Sequence, residues 1–182
     1  MAQAFTLLLP ITFSGLTLIV CMRKGWLAKL DVPLDGGLHF RGAPLIGRSK
    51  SVRSLVIYLI VASVVTIVLH LISLQTDLVA SVYKTNPLVL GPLATTAYLL
   101  GEITNSFIKR RMGIAPSGQV VGSGAGRIQA IFDNVDGMLT SGLVFIFIYG
   151  VPTEVLVASF ALAVVTHLST DALMRRLRLK RK

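Results

Sequence analysis

Apolar residues dominate five stretches of this 182-residue chain, roughly 5–22, 54–74, 87–108, 137–151 and 154–173. About 20 such residues in helical conformation cross the hydrocarbon core of a bilayer. The pattern therefore predicts an all-α integral membrane protein, with five transmembrane helices in a single membrane domain over 1–182. The fourth stretch is short, which fits a tilted or partly buried helix. Residues 79–83 are too few to cross and read as an interfacial turn. Polar segments separate the spans: a first loop at 23–53, a third loop at 109–136 and a tail at 174–182.

Charge orients these elements. Of the 18 Lys and Arg residues, seven fall in 23–53, four in 109–136 and six in 174–182, leaving Lys84 on the opposite side. With five spans the three basic segments share one face, and the positive-inside rule makes that face cytoplasmic. The N-terminus is then outside, and a multi-pass protein of the cell membrane is expected. The formal charge of +10 with 53% hydrophobic residues is what apolar spans and basic loops produce together. Nucleic-acid binding fits poorly, because the cations lie between spans and few aromatic residues accompany them. One cysteine, Cys21, permits neither an internal disulfide framework nor a thiolate metal site. The first span reads as one that stays, since Arg23 and Lys24 follow it and no basic segment precedes it.

Candidate chemistry gathers on the cytoplasmic side. Glu102 stands in an apolar run, where a carboxylate is costly unless paired, hydrated or coordinating. Asn105, Ser106 and Lys109 follow at i+3, i+4 and i+7, so a helix presents all four on one stripe that ends in Arg110 and Arg111. Asp133 and Asp136 are spaced i, i+3 at an expected helix start. They read as caps or as a pair of metal ligands. Oxygen donors of this kind suit Mg²⁺, which prefers carboxylates, waters and substrate phosphates. The cations at 109–111 read equally as a membrane anchor. The third loop is glycine-rich (Gly113, Gly118, Gly122, Gly124 and Gly126) and can bring backbone N–H groups to phosphates. In the first loop, 42–49 is one residue from a P-loop pattern but lacks the α/β setting that motif requires. Lys50, Arg53 and the hydroxyls around them, Ser51 included, still suit phosphate. His70 and His167 read as polar groups bonded between helices.

Gly101-Glu102, followed by Ser106-Phe107-Ile108-Lys109-Arg110-Arg111-Met112-Gly113-Ile114, resembles the signature of the CDP-archaeol synthases, relatives of the CDP-diacylglycerol synthases. Phe132-Asp133-Asn134-Val135-Asp136 and the first-loop stretch from Phe40-Arg41-Gly42 to Gly47–Ser54 are similar to two further motifs of that family. The chain departs from the pattern at Glu102, where Asp is usual, and at Arg48-Ser49, where Asp-Gly is usual. The resemblance implies a five-helix enzyme that transfers CMP from CTP to a lipid phosphate, giving a CDP-lipid and pyrophosphate. It implies Mg²⁺ held by Glu102, Asp133 and Asp136. It implies substrate phosphates bound by Lys50, Arg53, Lys109, Arg110 and Arg111, with Arg41, Ser51, Asn105 and Ser106 beside them. CTP, a membrane lipid phosphate and the bilayer are the implied partners, and a homodimer is compatible. The family's lipid carries isoprenoid ether chains. An ester lipid phosphate, or a non-enzymatic transporter or scaffold, are the competing readings.

Overall fold

A computed structural model describes the backbone of residues 1–114 and 124–176, with side chains described at 1–114, 135–166, 169 and 176. Five α-helices account for most of it: α1 (Ala2–Lys24), α2 (Val52–Ser73), α3 (Pro87–Arg111), α4 (Gly124–Phe147) and α5 (Thr153–Arg176). Each has 22 to 25 residues. At 1.5 Å rise per residue that is roughly 33–38 Å, enough to traverse a hydrocarbon core of about 30 Å. Among the described residues, α1 and α2 are long and apolar enough to cross a membrane by composition alone. The helices pack in a ring, α1 against α2 and α5, α2 against α3, α3 against α4, and α4 against α5.

The fourth helix differs from expectation. It begins at Gly124, well ahead of 137, so Asp133 and Asp136 lie inside a helix rather than at its start. The missed signal is an apolar spacing through Ile128, Ile131, Phe132, Val135, Met138 and Leu139. It follows helical period, while Gly124 and Gly126 read as loop. The glycine-rich segment 115–123 lies outside the described residues.

The stretch near 79–83 is a short turn, as its length predicts, and is more buried against protein than the sequence indicates. It forms a 3₁₀ turn, Ser81–Lys84, and Val79, Ala80, Val82 and Tyr83 are buried in the main apolar cluster with Leu7, Leu69 and Leu90. The turn packs as a plug against the helices. The plug also repairs a helix. Pro10 lies inside α1 and has no N–H to donate to the carbonyl of Thr6. The Tyr83 hydroxyl donates to that oxygen instead, at 3.0 Å. His70 bonds the Tyr83 carbonyl at 2.7 Å, the polar contact expected of it. The side chain of His167 lies outside the described residues.

Small hydroxyl residues are buried among the apolar core of the ring, while large apolar side chains face outward. Ser14, Thr66, Thr95, Ser141 and Ser159 are buried, whereas Phe5, Phe13, Ile60, Val64, Val68 and Leu143 are exposed. Buried hydroxyls return to helix carbonyls, as Ser159 does to Val155 at 2.7 Å and across to Ala4 at 3.1 Å. This is the distribution expected where the outer solvent is lipid and small residues mediate helix contacts.

Candidate active site

The first loop builds one wall of the site. Residues His39–Phe40 (β1) and Ala43–Pro44 (β2) form a short antiparallel hairpin. Its base is tied by the Asp35 carboxylate, which accepts from the backbone N–H groups of Gly37 (3.0 Å), Ile46 (2.8 Å) and Gly47 (2.9 Å). Burial works against the Asp35 charge, yet the donors of Gly47, Ile46 and Gly37 hold its carboxyl below the ordinary 3.8. Farther on, Leu34 N–H donates to the Lys50 carbonyl at 2.9 Å, and Ser51 caps α2 in a reciprocal pair with Ser54. Lys50 is thus fixed at its backbone directly before a helix.

Helix α3 supplies the facing wall. Glu102 meets Lys50, with Nζ to Oε2 at 2.6 Å and both side chains about four-fifths buried. The Tyr98 hydroxyl, one turn earlier, donates to Glu102 Oε1 at 3.3 Å, and its ring stacks on Tyr58 at 5.9 Å. Asn105 Nδ2 donates to Asp136 Oδ2 at 2.7 Å, joining α3 to α4, and the Gly137 N–H donates to Asp136 Oδ1 at 2.6 Å. Two glycines make this closeness feasible. A Cβ on Gly101 would lie 2.5 Å from the Asp136 carbonyl oxygen, and one on Gly137 would lie 2.6 Å from the Tyr98 ring. The sites of Glu102, Asn105 and Asp136 are therefore brought together by backbone approach that any larger residue would block.

The structure distributes the other expected site residues differently. Lys109 is half-buried on α3, one turn beyond Asn105. Ser106 is buried and its hydroxyl returns to the Glu102 carbonyl at 2.8 Å. Arg53 is buried and pairs with Asp31 at 2.9 Å. Arg110 donates to the carbonyls of Ile46 (3.1 Å) and Ile114. Arg111 donates to the carbonyls of Phe40, Ala43 and Pro44 (2.7 Å to the last) and is flanked by the Phe40 and Phe107 rings, each 5.2 Å away. Arg41 is exposed at the hairpin turn with φ of 54°, its guanidinium 5.5 Å from Phe40. The 42–49 stretch is accordingly a hairpin strapped to α3. Ser51, Ser106, Arg53, Arg110 and Arg111 hold the frame, whereas Lys50, Glu102, Asn105 and Asp136 converge. Asp133 lies on α4 one turn before Asp136, and its side chain is outside the described residues.

Sequence reading missed Tyr98 and Gly137, and it placed Gly101 in a motif without its packing role. Tyr98 was detectable, since it stands four residues before Glu102 on the same helical face. The glycines carried no local signal, because their role exists only against the neighbouring helix.

The donor set suits a hard divalent cation. Glu102 and Asp136 contribute carboxylate oxygens from adjacent helices, and the cluster already attracts one cation, the Lys50 ammonium. Among the described residues no three acidic, His or Cys side chains gather, so two carboxylates are the described set.

A helical ring with hydroxyls buried in its core, large apolar side chains on its exterior and a partly buried charge cluster at one end defines a membrane-embedded enzyme. Comparison with known proteins gives it a family. The model of the family described as CarS-like, CDP-archaeol synthase, matches residues 6–182, and the chain belongs to that family. It is accordingly a cytidylyltransferase of lipid biosynthesis. A solved structure described as an intramembrane enzyme for archaeal membrane lipids biosynthesis is similar in fold. Its TM-score is 0.67 at 23% identity, over 93% of this chain and 92% of that one. No curated protein matches significantly.

Proposed function

We propose that the protein transfers CMP from CTP to a membrane lipid phosphate of the isoprenoid-ether glycerol type, at the cytoplasmic face of a five-span domain covering 1–182. The convergence of Lys50, Glu102, Asn105 and Asp136 from three elements at one end of the bundle is the observation that carries this reading. The placement of seventeen of eighteen cations in three segments supports the orientation, with the N-terminus outside.

In the reaction a lipid-phosphate oxygen attacks the α-phosphorus of CTP. A P–O–P bond forms, the α–β bridging bond breaks, and pyrophosphate leaves with its electron pair. The nucleophile is already anionic at neutral pH, so a strong general base is not required. The larger task is to bring two polyanions together and to stabilise charge on the leaving group. Lys50 on the loop wall and Lys109 on the α3 wall offset that charge. Glu102 and Asp136, with Asp133 on the same helix, would hold Mg²⁺, which supplies further charge neutralisation at the phosphates. Asn105 orients Asp136, and Tyr98 orients Glu102. The lipid chains stay among the exposed apolar faces of the helices while the phosphate meets CTP from the aqueous side.

Release of pyrophosphate in detergent, with CTP and a panel of ether and ester lipid phosphates, tests both the reaction and its substrate. Glu102→Gln and Asp136→Asn should each lower turnover by about 10²-fold or more, with the fold retained. Wild-type turnover in either variant removes that residue from the machinery, and preference for an ester lipid overturns the assignment of substrate.

A further inference from the structure

Lys50 does not stand where a phosphate-binding cation would wait. Its ammonium lies on Glu102 Oε2 at 2.6 Å, inside the acidic cluster, while the same carboxylate's other oxygen is taken by Tyr98. The main chain leaves little choice of position. The Lys50 carbonyl is bonded by Leu34, its N–H donates to Gly47, and Ser51 immediately starts the cap of α2. Among the described residues, two carboxylates, Glu102 and Asp136, and the Lys50 ammonium gather here. An ammonium and a divalent cation crowded onto one carboxylate repel each other, so each weakens the other's hold on it.

We propose that Lys50 is a resident counter-cation of the Glu102 site. It neutralises the carboxylate before substrates arrive and yields it to a divalent ion that enters with the nucleotide, so that its ammonium becomes free for a phosphate. Lys is suited to the exchange, since its charge is compact and its four-carbon stem rotates freely. The arrangement keeps an otherwise uncompensated acid satisfied in the resting enzyme, where an unpaired half-buried charge is costly. It also couples the two ligands. Whatever draws Lys50 towards a polyphosphate strengthens divalent-ion binding at Glu102, and the reverse holds by linkage. The inference rests on Glu102 being a metal ligand.

The test is Mn²⁺ binding to the full-length protein in neutral detergent without nucleotide, read as free Mn²⁺ by electron paramagnetic resonance. Lys50→Met should bind Mn²⁺ about tenfold more tightly than wild type, and Lys50→Gln should do the same if the methionine variant proves unstable. Combining either with Glu102→Gln should abolish the gain. Unchanged or weaker Mn²⁺ binding in both Lys50 variants, with Glu102→Gln still weakening the wild type, overturns the exchange while leaving Glu102 a ligand. If Glu102→Gln alters Mn²⁺ binding in neither background, the ligand reading fails and the exchange fails with it.

Discussion

Gly101→Ala probes the spacing on which the whole site depends. The added Cβ would sit 2.5 Å from the Asp136 carbonyl oxygen, whereas ordinary contact begins at 3.4 Å. The Thr140 hydroxyl also stands in the way and can rotate, but the Asp136 backbone cannot, so α3 and α4 must part by about 1 Å. Overpacking of this kind costs about 1–3 kcal/mol, or a melting temperature lower by roughly 2–4 °C per kcal/mol. The kinetic effect should be larger than the loss of stability suggests. The displaced helices carry Glu102 and Asp136, and a misplacement of about 1 Å can cost about 10²-fold in rate. CTP-dependent pyrophosphate release and a thermal melt in the same detergent measure the two effects. Gly142→Ala is the control, because its Cβ would meet only the Phe160 ring, at 3.1 Å, which can swing aside. A Gly101→Ala protein with wild-type turnover and melting temperature would show that the close α3–α4 approach does not set the site's geometry.

Two further predictions concern the first loop. Arg111→Ala should release the hairpin, since hydrogen bonds from a charged group contribute about 1.5–3 kcal/mol, and deuterium uptake across 39–44 should rise. Arg111→Lys should not restore protection, because an ammonium lacks the planar fork and the stacking between Phe40 and Phe107. Unaltered uptake in both variants would refute the strap. Asp35 supplies a pH test. Its folded value is depressed, so its contribution is full above the unfolded value near 3.8 and is lost as pH falls through the lower folded value. Protection of the Ile46 and Gly47 amides should therefore decline only in that acid window, and Asp35→Asn should remove both the protection and its pH dependence.

Much of the architecture follows from local properties of the chain. Apolar runs of membrane length, basic segments after alternate spans and a polar stripe on α3 headed by Glu102 are written in consecutive residues, because helix formation and interface preference act over one or two turns. The start of α4 at Gly124 was obscured because glycine reads as loop until packing stabilises the helix it begins. The burial of 79–83 was obscured because a short apolar stretch does not say whether it faces lipid or protein. Only tertiary structure decided the partners. Arg110 and Arg111 read as phosphate ligands in sequence, and the structure adds hydrogen bonds from both to first-loop carbonyls more than 60 residues away in the chain. Lys50 meets Glu102 across 52 residues, and Asn105 meets Asp136 across 31. Such pairings depend on how far apart and at what rotation the helices lie. Gly101 and Gly137 set that distance through atoms they lack, which has no expression until a second helix occupies the space.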